Sequence, residues 1–302
     1  MPNQPRPPQH AESPAGHRGR RAFAGAGVLL ALSTALLAGG TAHAAPAAAA
    51  VARPSEQTGA ETGSPAAAEP RHTTRVTAAV LDLDGTGRVP TVYGDDVTYD
   101  TASIIKVDIL ATLLLQAQDE GRRLTAQERA RAEPMIRHSD NAAANALWRE
   151  IGRAPGLEAA NKRLGLTETK GGSGTRWGLT RTTVSDQIRL LRAVFGTGGK
   201  SDGGATALNQ ASRTYVRTLM AGVATEQAWG VSAAGGSGAA LKNGWLQRST
   251  SGLWDVNSVG RIVVDGHPYL VAVLSDGSTS MKDGVALVER AARAALASAS
   301  GH

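Results

Sequence analysis

The 302-residue chain predicts an α+β fold, a five-stranded antiparallel sheet flanked by helices, with an all-α lobe inserted in it. Two observations carry that expectation. The elements run in the order two strands, a helical block, three strands and a closing helix, read from apolar alternation at both ends and helical spacing between them. Asp-Gly turn signals at Asp84-Gly85 and Asp265-Gly266 join successive strands at each end.

Val76 to Leu83 alternates as a strand, and Asp84-Gly85-Thr86-Gly87 turns it into a second, Val89 to Tyr93. A helix is expected from Ser103 to Glu120, closed by Gly121 and buried through Ile104, Ile105, Val107, Ile109, Leu110, Leu113, Leu114 and Leu115. Thr125 and Glu128 form a capping box that opens a shorter helix. Further helices are expected near 142–151, 156–163, 183–195 and 208–222. A Gly/Ser loop at 232–238 leads back to strands at 239–246, 256–264 and 269–275. An amphipathic helix at 285–297 ends the fold.

Residues 1–44 read as a cleaved export signal. A charged start ends in Arg20-Arg21, an apolar stretch follows to about Leu37, and Ala42-His43-Ala44 is a small-x-small cleavage site. Twin-arginine and general export remain alternatives, and the apolar stretch is short for a stable membrane anchor. Residues 45–73 are rich in Ala, Pro, Glu, Gly and Thr and read as a disordered linker before a single domain at 74–302. The expected location is therefore extracellular.

Composition excludes several chemistries. Cysteine is absent, so thiolate metal sites, disulfides and a cysteine nucleophile fall away. No two histidines beyond residue 44 have metal-ligand spacing, so neither a metal nor another cofactor is expected. The formal charge is +6, but Arg6, Arg18, Arg20 and Arg21 in the leader supply much of it, and no basic stripe with interleaved aromatics suggests nucleic acid. Only six of the 32 cationic residues are lysine. Arginine does not give up its proton and lysine does when desolvated, so each lysine is a candidate base.

Three short motifs carry chemistry. Ser103-Ile104-Ile105-Lys106 places a hydroxyl at a helix start and an amine one turn on, on the same face. A neutral lysine there would activate the serine, and the helix N-terminus favours an alkoxide. The plainer alternative is a helix cap with a snorkelling lysine. Ser139-Asp140-Asn141 precedes another helix, where Ser139 suits proton relay and Asn141 suits binding an amide; an ordinary N-cap is again the alternative. Lys242-Asn243-Gly244-Trp245 lies in an expected strand, with the lysine suited to a substrate carboxylate and the glycine to a close backbone approach.

S-x-x-K, S-D-N and K-x-G in this order resemble the signature of class A β-lactamases and penicillin-binding proteins, over roughly residues 74–297. The resemblance implies a β-lactamase/transpeptidase-like fold. It implies Ser103 as the acylated nucleophile, Lys106 as its base and Ser139 as proton shuttle. Asn141 would contact the substrate side chain, and Lys242 and Asn243 its carboxylate. The N–H groups of Ser103 and Trp245, beside Gly244, would form an oxyanion hole. The implied partner is a β-lactam or cell-wall peptide, bound by a monomer.

The sequence departs from that family in three places. Asn243 replaces the usual Thr or Ser. The stretch between Lys106 and Ser139 is short and lacks an aromatic that walls the site. The segment 164–180 contains no E-x-x-x-N, whose glutamate activates the deacylating water; Glu168 is its only carboxylate. Losing a positioned base typically costs ~10²–10⁴ in rate. A hydrolase acylated on Ser103 with slow deacylation is therefore expected. The alternatives are a D-Ala-D-Ala-type peptidase or esterase and a non-turnover β-lactam-binding protein.

Overall fold

The computed structural model describes residues 73–85, 89–196 and 207–300. The expected export signal and all but the last residue of the expected linker lie outside them. The predicted architecture is present. Five antiparallel strands form one sheet in the order β2-β1-β7-β6-β5, so that the first strand of the chain pairs with the last and β2 lies at the edge beside it. The strands are β1 (Arg75–Asp82), β2 (Thr91–Tyr93), β5 (Ser237–Gln247), β6 (Trp254–Val264) and β7 (His267–Ser278). Strand β2 starts later than the alternation suggested because Pro90 has no N–H to give to the ladder. Asp265 and Gly266 both take positive φ, +50° and +85°, in the two-residue turn that pairs β6 with β7.

A second, two-stranded sheet was not foreseen. Strands β3 (Tyr99–Asp100) and β4 (Arg181–Thr182) are two residues each, too short to leave a periodic signal. The bridge between Lys170 and Arg181 extends this pairing.

The inserted helices are α1 (Ile105–Asp119), α2 (Ala126–Arg137), α3 (Asn141–Glu150), α4 (Arg153–Leu164), α5 (Val184–Phe195) and α6 (Gln210–Ala221). The Thr125–Glu128 capping box forms in both directions. Helix α4 begins earlier than expected, entered through Gly152 at φ +88°. Part of the expected Gly/Ser loop is a 3-10 turn, Gly230–Ala234.

The sheet separates two apolar cores. Ala79, Leu81, Leu270, Ala272 and Leu274 face the helical lobe, in which α1 is buried almost all round. The alternate residues Ala78, Val80, Val271 and Val273 face α7 (Met281–Ser300), which covers them with Val288, Ala292, Ala295 and Leu296. Period-two strands and an i, i+4, i+7, i+8 helical stripe thus meet face to face.

Candidate active site

Ser103 does not start the long helix as expected. It lies in a 3-10 turn, Ala102–Ile104, that runs directly into α1. Ala102 holds φ at +46°, a conformation that costs an L-residue energy unless its surroundings enforce it. Three contacts enforce it. The N–H of Thr101 donates to the Thr180 carbonyl at 2.8 Å. Asn257 of β6 donates its amide to the carbonyls of Asp100 and Thr101, at 2.8 and 3.1 Å. Gly244 of β5 presses against the same turn: a Cβ there would lie 2.6 Å from Ser103 N and 2.8 Å from Ile104 N. The glycine anticipated for substrate approach is thus also required by the protein backbone.

Lys106 is wholly inaccessible to solvent, as is Lys242. The Lys106 amine donates to the Ser139 carbonyl at 2.5 Å, the Ser139 hydroxyl at 3.0 Å and Asn141 Oδ1 at 2.8 Å. Lys242 Nζ meets the same hydroxyl at 3.0 Å and its neighbour's carbonyl, Asn243 O, at 2.8 Å. One hydroxyl therefore lies between two buried amines. Burial pushes Lys106 down to about 7, against a smaller upward pull from Asp140. Lys242 is lowered by burial first and then by the charge on Lys106. Two ammonium groups on one hydroxyl repel, and the pair shares its protons.

Asp140 takes the N-cap of α3, accepting from Ala143 N at 2.6 Å. Asp140 thus caps the helix, while Ser139, at φ +57°, and Asn141 turn to the lysines.

Ser103 and Asn141 line a cavity of about 640 Å³ with Trp245 and the chain following it to Thr250. Asn145, Arg176, Trp177 and Leu179 line it too. Asn145, one turn after Asn141, was legible from helical spacing; its Oδ1 accepts from Trp177 Nε1 at 2.7 Å. The Lys106 amine lies 4.9 Å from the centre of the Trp177 ring. Trp177 thus supplies an aromatic wall from a segment other than the one where its absence was noted. Arg248 also lines the cavity and is ion-paired to the buried Asp100.

Two expected site residues are not where the motif suggested. Asn243 is fully buried, and its amide donates to the carbonyls of Gln227 and Trp229 at 2.8 and 2.9 Å. Successive strand residues point to opposite faces, so a strand that sends Lys242 toward Ser139 sends Asn243 away. Asn243 is a bracket for the 225–234 segment rather than a ligand for a carboxylate. Glu168 is exposed outside the cavity, and its backbone N–H donates to Asp186 at 2.8 Å. Neither Asp nor Glu is among the residues lining the cavity.

Among the described residues no cluster of His, Cys, Asp and Glu is placed to hold a metal ion. No helix among them is long and apolar enough to cross a membrane.

The model of the beta-lactamase enzyme family matches residues 115–299, a stretch that begins beyond Ser103 and Lys106. No curated protein matches the chain. Among solved structures, a PBP-A mutant in an acyl-enzyme complex with penicillin G is 22% identical, with a TM-score of 0.60 over 75% of this chain and 90% of that one. TLA-1 extended-spectrum beta-lactamase is 15% identical, with a TM-score of 0.60 over 75% and 94%. A representative class A beta-lactamase from Bacteroides cellulosilyticus DSM 14838 is 16% identical, with a TM-score of 0.60 over 76% and 94%. At these identities the likeness establishes the fold.

Proposed function

Because the chain belongs to the beta-lactamase enzyme family, we propose that it is an exported serine hydrolase whose Ser103 is acylated by β-lactam amides and whose acyl-enzyme is released slowly. The observation that carries this reading is the Lys106–Ser139–Lys242 cluster beside a cavity that contains Ser103 and no carboxylate.

This reading assigns the following chemistry. With its amine held near 7, Lys106 is partly neutral at physiological pH and takes the proton from Ser103 Oγ. The Oγ–carbon bond forms at the lactam carbonyl, and the N–H groups of Ser103 and Trp245 receive the developing oxyanion. As the carbon–nitrogen bond breaks, the Ser139 hydroxyl gives its proton to the departing nitrogen and is resupplied by Lys106. Lys242 supplies positive potential for the substrate carboxylate, without help from Asn243. Asn141 already accepts from Lys106 through Oδ1, so its Nδ2 is left to donate to the acyl carbonyl. Release of the acyl group needs an activated water, and the cavity wall offers it no carboxylate base.

The missing base also favours a second reading, a binding protein that holds its acyl adduct without turnover. A D-Ala-D-Ala peptidase or esterase would use the same acylation step. The leader reading supports export.

Intact-protein mass spectrometry with benzylpenicillin tests the proposal. The expected result is one adduct that persists for minutes and is absent in Ser103→Ala. No adduct with any penicillin or D-Ala-D-Ala mimic would overturn it.

A further inference from the structure

Four cationic side chains surround the Ser103 region, and they divide into two sets. Lys106 and Lys242 are buried at Ser139. Arg176 and Arg248 instead line the cavity itself, together with Asn145, Gln247 and Thr250. Strand β5 connects the two regions. Lys242 lies before the Gly244 contact with Ser103, and Arg248 follows the end of β5, roughly 13 Å of extended chain beyond Gly244. A substrate with its carboxylate toward Lys242 therefore extends its acyl portion toward the arginines.

Neither arginine is fully engaged. Arg176 donates from Nη2 to Ser173 Oγ at 2.5 Å and has no acidic partner among the described residues. Its exposed guanidinium keeps Nε and Nη1 open. Arg248 gives Nη1 to the buried Asp100, with Asp255 at 3.8 Å, and keeps Nε and Nη2 open. Asp100 also accepts from Arg181 at 3.4 Å, so its charge is shared between two guanidiniums. The two open donor sets come from separate segments, the loop before Trp177 and the turn after β5. Such a pair has no ligand of its own in the fold, and a carboxylate satisfies its planar donor geometry.

We propose that the acyl portion of the substrate carries an anionic group, a second carboxylate besides the one beside the scissile amide, held by Arg176 and Arg248. The favoured class is thus a dicarboxylate acyl donor, such as a peptide with an acidic residue on the acyl side of the cleaved bond. This rests on Ser103 being the acylated residue.

Carbenicillin and benzylpenicillin provide the matched probes, since they differ by a carboxylate on the acyl side chain. Second-order rates of Ser103 acylation are compared for the full chain, Arg176→Gln and Arg248→Gln, at low salt and in 0.5 M sodium chloride. The expected carbenicillin-to-benzylpenicillin ratio is about ten at low salt and falls several-fold in each variant and with salt. A purely structural role for Arg248 would lower both rates together and leave the ratio where it was. Arg176→Glu is expected to bring the ratio below one. If both penicillins label Ser103 and the parent ratio is one or less, or neither glutamine variant moves it, the anionic-acyl inference is overturned and acylation at Ser103 stands. If neither penicillin labels Ser103, both readings fall.

Discussion

The Lys106 amine lies 2.5 Å from the Ser139 carbonyl and 3.0 Å from its hydroxyl. The charged amine has three donors, and the two Ser139 oxygens and Asn141 occupy them. It accepts a proton from Ser103 only after losing one of its own. Lys106 is lowered to about 7 from 10.5, so the reactive neutral form grows as pH rises through 7. Acylation rates should therefore climb about tenfold per pH unit below 7 and level off above it. Lys106→Arg, which stays charged, should reduce labelling by at least about 10²-fold at every pH tested. Stopped-flow acylation from pH 5 to 9 measures both, and a flat profile would remove Lys106 as the base.

Gly244→Ala tests how β5 positions Ser103. The added methyl meets Ser103 N at 2.6 Å, Ile104 N at 2.8 Å and Thr101 O at 2.9 Å, all backbone atoms that cannot rotate aside. The variant should lose about 1–3 kcal/mol of stability, and acylation should slow by at least about tenfold as the turn shifts. Thermal melts and labelling rates on the same preparation check the pair. A variant with parental stability and rate would show that the approach is looser than these distances indicate.

Asp108 gives the fold a pH dependence separate from catalysis. It is wholly buried on α1, and neither carboxylate oxygen has a hydrogen bond of ordinary geometry, although Asn161 lies close enough to favour the ionised form. Burial, with Asp186 adding repulsion, raises it from 3.8 to about 7. Between those values the native state keeps a proton that the unfolded chain has lost. Stability should fall as pH rises from about 4 to 7 and then stay level. Asp108→Asn should consequently gain stability over the parent at pH 8, by at most about 4 kcal/mol, with little gain at pH 4. Denaturant titrations at the two pH values decide it; an equal change at both would mean that the carboxyl keeps its ordinary ionisation.

A carboxylate added to the cavity should restore turnover. Gly178 lines it, and a Cβ there would touch only the Ala102 Cα, at an ordinary 3.8 Å. Gly178→Glu therefore places an acid beside the Ser103 turn without a backbone clash. Decay of the penicillin adduct should accelerate by about tenfold or more, seen by mass spectrometry after removal of free drug. Unchanged decay would mean that the missing base is not what limits release.

The order of strands and helices, the capping box at Thr125 and the Asp265-Gly266 hairpin were legible because each is fixed by residues close together in the chain. The sequence places Ser103 and Lys106 one turn apart, but the partners that Lys106 meets are Ser139 and Asn141. Period-two alternation also held the fate of Asn243, which must face away from Lys242, although the motif suggested a shared ligand. What the chain alone left open was convergence. Ser139 reaches Lys242 from 103 positions away, Trp177 from the segment between α4 and α5 and Arg248 from the end of β5 join one cavity, and Glu168 remains outside it. Local pattern decides which element a residue joins; the packing of α1 against α3 and of the Ala102–Ile104 turn against the edge strand β5 decides which side chains share a space dry enough to hold an amine near 7.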